Sequence, residues 1–87
     1  MYKIVYEKRA LKAIPSLKAA KLDGKVLKLL EVVKKNSFQN PPPYEALVGD
    51  LKGFYSRRIN ICHRLVYQVF EEEKTVKIVS MWTHYEF

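Results

Sequence analysis

The C-terminal half of this 87-residue chain contains side chains that can bind a charged substrate and transfer protons to or from it. They are a carboxylate, three guanidinium groups, an imidazole and a phenol, at Glu45, Arg57, Arg58, Arg64, His84 and Tyr85. Each has an ordinary structural explanation when taken alone, such as a solvated loop acid or a tyrosine that packs along a strand. As a set on neighbouring elements, they could perform general acid–base chemistry beside a cationic anchor.

This combination suits phosphoryl chemistry on RNA. A 2′-hydroxyl attacks the adjacent phosphate when a base takes its proton, a cation stabilises the phosphorane and an acid protonates the departing 5′-oxygen. A carboxylate can be the base, and a histidine suits the acid because imidazole titrates near neutral pH. The planar fork of arginine donates two parallel hydrogen bonds to phosphate oxygens. The scheme requires no metal, and the two histidines, His63 and His84, belong to no ligand cluster; we therefore expect no metal or cofactor.

The N-terminal half supplies the elements that must support this set. A β-branched and aromatic run predicts a strand at residues 3–6. Helical spacing follows from Lys8 to about Ala19, where Pro15 predicts a break near Ile14. A second, amphipathic helix begins at Leu22, and Asn36 is a suitable cap for its end. Its apolar stripe is Leu22, Val26, Leu29, Leu30 and Val33.

Three strand-like runs follow the proline triplet, at residues 53–60, 64–70 and 75–85. Their short links, including an acidic turn at residues 71–74, indicate antiparallel hairpins. The predicted fold is α+β in the order β-α-α-β-β-β, with two helices on one face of a twisted antiparallel sheet of about four strands. Strict alternation gives the last strand one face with Val76, Ile78, Ser80, Trp82 and His84, and another with Lys77, Val79, Met81, Thr83 and Tyr85.

Composition narrows the class of protein. The length favours one domain over residues 1–87. No run of 18 apolar residues is present, and one cysteine, Cys62, allows no internal disulfide, so we expect a cytoplasmic protein that does not span a membrane. The net charge of +7 favours polyanionic partners. Residues 1–40 carry ten Lys or Arg against three acids, whereas residues 41–87 carry six of each.

Two strings in tandem carry a family resemblance. LKGFYSRRINICHRLVYQV, at residues 51–69, followed by a closing His-Tyr pair, closely resembles the Txe/YoeB family of bacterial toxins within the wider RelE-like fold. The similarity covers essentially the whole chain. The chain differs from some relatives at Val48, where they have a lysine, and in the Glu86-Phe87 extension after the tyrosine.

The resemblance implies a function and a set of roles. Members are ribosome-dependent endoribonucleases that cut mRNA in the A site and are silenced by a cognate antitoxin of the YefM or Axe kind. It implies that Glu45 is the general base, Arg64 stabilises the phosphate, His84 is the general acid and Tyr85 orients the substrate. It also implies that Arg58 contacts the RNA backbone, and we expect its neighbour Arg57 to bind substrate as well. The implied partners are the antitoxin, the ribosome with its mRNA, and a second copy of the chain.

Other functions remain open from the sequence. A basic module that binds RNA, the ribosome or an antitoxin without catalysis would explain the charge. An inactive relative retained for interaction, or a nuclease acting on free RNA, would share the same fold. Only a measurement of cleavage separates these alternatives.

Overall fold

The computed structural model describes residues 2–40, 43–60 and 63–81. A five-stranded sheet with three helices against it makes up this part of the chain. The elements are β1 (Lys3–Tyr6), α1 (Lys8–Lys12), α2 (Ile14–Ala19), α3 (Asp23–Lys35), β2 (Glu45–Ala46), β3 (Phe54–Arg58), β4 (Arg64–Phe70) and β5 (Thr75–Ser80), with a 3-10 turn at Gly49–Leu51.

The helical region follows its sequence pattern closely. The predicted break is confirmed: α1 ends at Lys12, and Pro15 lies in the first turn of α2, where a missing N–H group costs nothing. In α3 the apolar stripe faces the sheet, with Val26 and Val33 buried. Asn36 ends α3 in an extended conformation, and its side-chain oxygen accepts a hydrogen bond from the Phe38 N–H.

The α+β class is confirmed, but the sheet differs from the expected one in two respects. Its strand order is β1-β5-β4-β3-β2, and β1 runs parallel to β5, so the sheet is mixed. It also has a fifth strand, β2, only two residues long, which pairs antiparallel with β3. The sequence carries no signal for β2 because two residues are too few to show an alternation.

Two apolar clusters lie on opposite faces of the sheet. The helix-covered face joins buried residues of all three helices to side chains of the central strands, including Leu65, Tyr67, Val76 and Ile78. The other face, called here the open face, carries a smaller cluster built from Leu47, Val66 and Val79 with Leu51 and Phe54 packed against it. The chain from β2 to the 3-10 turn therefore covers part of the open face.

A β-bulge in β5 changes the expected alternation. Tyr67 pairs with Ile78, but the preceding residue Val66 pairs with Ser80, so Val79 is an extra residue in β5. Met81 consequently packs in the helix-side cluster with Ile78, although strict alternation had placed these two on opposite faces. In the described part of the chain no helix is both long and apolar enough to cross a membrane.

Candidate active site

Three of the predicted site residues line one depression on the open face. Glu45, Arg58 and Arg64 surround a shallow hollow of about 330 Å³, together with Pro43, Tyr44 and Ser56. Glu45 and Arg58 are exposed and Arg64 is half-buried, so their charged groups border solvent. The carboxylate and the two guanidinium groups thus share a surface that a polyanion can reach.

Strand register explains how distant parts of the chain meet there. Glu45 pairs with Ser56, and Arg58, two residues further along β3, pairs with Arg64 on β4. Residues two apart on a strand share a face, as do direct cross-strand partners. Two strand spacings and one two-residue step separate the Cα atoms of Glu45 and Arg64 by about 12 Å. A glutamate and an arginine side chain pointing toward each other can hold a phosphodiester group across that distance.

Arg58 and Arg64 form an unfavourable pair in terms of charge. They lie directly opposite each other on antiparallel strands, an arrangement that brings Cβ atoms within about 5 Å. Like charges in that position destabilise a sheet, and a bound anion between them removes the repulsion. The arrangement is therefore suited to binding a phosphate group.

Ser56 lies at the floor of the depression with its hydroxyl unsatisfied. The residue is 1% exposed, and within the described residues its Oγ has no hydrogen-bond partner. An unpaired buried hydroxyl costs about 1–3 kcal/mol. Sequence reasoning missed this residue, although its position two before Arg58 on a strand is the signal that places both on one face.

Arg57 has a different environment from the one expected for a substrate-binding residue. It is 1% exposed and lies on the helix-covered face of β3. Its Nη2 donates to the carbonyl oxygens of Ser37 (3.0 Å) and Gln39 (2.9 Å), and its Nε donates to the Tyr67 hydroxyl (3.1 Å). Its guanidinium carbon also lies 5.2 Å from the centre of the Tyr44 ring. These contacts occupy the guanidinium inside the protein, so we assign Arg57 a structural role instead.

The contacts of Arg57 hold two short parts of the chain in place. One follows α3 and is held through the Ser37 and Gln39 carbonyl oxygens, and the other is Tyr44, the residue before Glu45. The Tyr67 hydroxyl donates to the Ser37 carbonyl (2.9 Å), and burial raises the pKa of Tyr67 above its ordinary value of 10.0, with Arg57 opposing part of the shift. The phenol therefore keeps its proton as a donor. The rings of Phe38, Tyr44 and Tyr55 also pack against one another in tilted and edge-to-face arrangements, with 5.1–6.1 Å between ring centroids.

His84 and Tyr85 lie outside the described residues, which end at Met81 in this region. Their roles as acid and positioning group therefore stay predictions from the sequence.

A second hollow of about 400 Å³ lies further along the open face. Gln68, Phe54 and Val79 line it from the sheet, and Lys8 and Arg9 line it from α1. Sequence reasoning did not place these two cations on this face, because α1 gives no pairing information. Among residues 2–40, 43–60 and 63–81, no group of three or more His, Cys, Asp or Glu side chains could hold a metal ion.

Comparison with known proteins identifies the family. The model of the YoeB-like toxins of bacterial type II toxin-antitoxin systems matches residues 15–85. The chain belongs to this family. The resemblance read from residues 51–69 and the closing His-Tyr pair is thereby confirmed, and the protein is a toxin of the RelE-like fold.

Individual relatives agree in sequence and structure. Toxin YoeB of Streptomyces coelicolor is 34% identical over 65 residues, which cover 75% of each chain. The YoeB/ParE toxin of Agrobacterium tumefaciens has a TM-score of 0.86 at 27% identity and covers 95% of this chain and 99% of its own. The YoeB of a YoeB–YefM complex from Staphylococcus aureus has a TM-score of 0.81 at 32% identity, with 98% and 99% covered. The Staphylococcus protein has also been solved as a dimer.

Proposed function

We propose that the toxin, as one domain over residues 1–87, is a ribosome-dependent endoribonuclease that cuts mRNA in the ribosomal A site and so inhibits translation. The observation that carries the proposal is the depression shared by Glu45, Arg58 and Arg64. It combines a proton acceptor with two opposed cations suited to a phosphate, in a chain of the YoeB-like family.

Each residue has one role in the proposed step. Glu45 takes the proton of the 2′-hydroxyl, and the 2′-oxygen forms a bond to phosphorus. Arg64, with Arg58 beside it, stabilises the negative charge that develops on the phosphorane oxygens. The bond between phosphorus and the 5′-oxygen breaks, and His84 gives its proton to that oxygen while Tyr85 orients the substrate. The products are a 2′,3′-cyclic phosphate and a 5′-hydroxyl.

The shape of the site supports dependence on the ribosome. Tyr44 is the one aromatic residue that lines the depression in the described part of the chain, and its ring already contacts Phe38, Tyr55 and Arg57. Proteins that bind single-stranded RNA by themselves usually stack bases on exposed aromatic side chains. A shallow depression whose described lining offers no such platform favours a second body that holds the RNA in a reactive geometry.

The partners follow from charge and family. The net charge of +7 favours rRNA, mRNA and an acidic antitoxin. YoeB of Staphylococcus aureus forms a complex with YefM and a dimer, and we propose a YefM-like or Axe-like antitoxin and a homodimer for this toxin as well.

Primer extension on translating ribosomes tests the proposal. We expect the wild-type toxin to produce a new mRNA 5′-end in the A-site codon, and His84→Ala to bind ribosomes but cut at least 100-fold more slowly, since it lacks the acid. The same mRNA without ribosomes is the control and should stay intact.

Three results would contradict the proposal. Ribosome binding without any cut by the wild-type toxin would favour a non-catalytic binding module. Unchanged cutting by His84→Ala would remove the acid assignment. Rapid cutting of the free mRNA would show that the ribosome is not required.

A further inference from the structure

Ser56 is the one buried side-chain group in the described residues that is left without a hydrogen-bond partner. It lines the depression that Glu45, Arg58 and Arg64 share, and solvent does not reach its Oγ. Two of these neighbours are cations, which only donate hydrogen bonds. Among the charged neighbours, Glu45 is the one that can accept a hydrogen bond, and a carboxylate accepts more strongly than the other neutral groups that line the depression.

The sheet register places this acceptor directly across from the hydroxyl. Glu45 and Ser56 are cross-strand partners in the β2–β3 pair, and side chains of such partners lie on one face within about 5.5 Å at Cβ. The Glu45 side chain is exposed and long, so rotation about its side-chain bonds can bring a carboxylate oxygen to the hydroxyl. Ser56, by contrast, is fixed on β3 between two paired strands.

We propose that Ser56 is a positioning residue for Glu45. When RNA occupies the site, the Ser56 hydroxyl donates a hydrogen bond to one carboxylate oxygen of Glu45, which directs the other oxygen to the 2′-hydroxyl. This bond gives the buried hydroxyl of Ser56 a partner. This inference rests on the proposed function, because it assumes that Glu45 is the base.

The arrangement gives Ser56→Ala an unusual pair of effects. Removal of an unsatisfied buried hydroxyl should stabilise the toxin, with a rise in melting temperature of about 4–8 °C. The same change should lower kcat for mRNA cleavage on ribosomes about ten-fold and leave KM unchanged, since the hydroxyl acts on the base and not on substrate binding. Ser56→Thr keeps the hydroxyl and should restore the rate.

Ser37→Ala is the matched control. Ser37 is also buried, but its hydroxyl donates to the Val33 carbonyl at 3.1 Å on the helix-covered side. Loss of that satisfied bond should lower the melting temperature and leave kcat unchanged.

A double-mutant cycle with Glu45→Ala separates action through Glu45 from direct contact with RNA. Under single-turnover conditions, Ser56→Ala should have no further effect on the rate of the Glu45→Ala toxin. A ten-fold loss that persists in that background would overturn the proposal, and so would a lowered melting temperature or an unchanged kcat in Ser56→Ala. If the wild-type toxin does not cut mRNA at all, the proposed function fails first, and the melting temperatures still report whether the hydroxyl is unsatisfied.

Discussion

Arg57 and Arg58 are neighbours in the chain and opposites in the fold. Arg57 is buried on the helix-covered face, where its guanidinium donates hydrogen bonds to the Ser37 and Gln39 carbonyl oxygens and lies against the Tyr44 ring. Arg58 is exposed on the open face, directly across from the like charge of Arg64. Successive residues of a strand point to opposite faces of the sheet, so one of these two arginines has a structural position and the next borders solvent.

The two faces of β3 therefore have separate tasks. On the helix-covered face, carbonyl oxygens accept hydrogen bonds from the Arg57 guanidinium, and these bonds hold the residues just after α3 in place. On the open face, Arg58 and Arg64 bring two positive charges close together, which favours the binding of a phosphate between them. If this division is correct, substitutions on one face should change stability and those on the other should change activity.

The largest effect is expected at Arg57. Arg57→Ala removes the donor to the buried Ser37 carbonyl, to the part-buried Gln39 carbonyl and to the Tyr67 hydroxyl, so we expect the free energy of unfolding to fall by about 3–5 kcal/mol. Urea denaturation of the purified toxin, free of antitoxin, measures this free energy. Arg58→Ala is the matched control and should change the same quantity by no more than about 0.5 kcal/mol. Similar losses for both variants would contradict the division of the faces.

The second largest effect is expected in cleavage by Arg64 variants. Arg64→Ala should slow mRNA cutting on ribosomes about 100-fold to 1,000-fold, because a preorganised donor to the phosphorane is lost. Arg64→Lys keeps the charge without the planar fork and should recover only part of the rate. Both variants should unfold at a urea concentration near that of the wild type. Full activity of Arg64→Ala would show that the opposed pair does not bind the scissile phosphate.

The smallest effect is a pH dependence of stability from Tyr67. Its phenol has a raised pKa in the fold because it is buried, so its contribution is complete below about pH 10 and is lost as the pH rises through the folded-state pKa. Tyr67→Phe should lower the free energy of unfolding by about 1–2 kcal/mol near pH 8. The difference between the two proteins should narrow by pH 11, as urea denaturation at both pH values would show. A constant difference would mean that the phenol does not titrate with unfolding.

Local patterns predicted much of the fold and part of the site. Pro15 located the helix break, alternation gave β4 its residues 64–70, and the acidic turn placed the hairpin before β5. Glu45, Arg58 and Arg64 were chosen by residue type and resemblance, and strand register then placed them together.

What the sequence could not provide depends on contacts between distant segments. The parallel pairing of β1 with β5 joins strands about 70 residues apart, and the sequence of neither strand indicates which strand it pairs with. The burial of Arg57 depends on which face the helices cover, and the bulge at Val79 depends on the hydrogen bonds of one strand pair. The lack of a hydrogen-bond partner for the Ser56 hydroxyl likewise depends on its three-dimensional neighbours, which the sequence does not give.

The central position of β5 also sets the order in which the toxin can assemble. β5 lies between β1 and β4, so β1 has no neighbour in the sheet until residues 75–80 have been synthesised. A growing chain can form α3 and the β3–β4 hairpin early, because these contacts are local, but it cannot close the sheet behind the candidate site. The sheet behind the candidate site is therefore complete only after β5 has been synthesised.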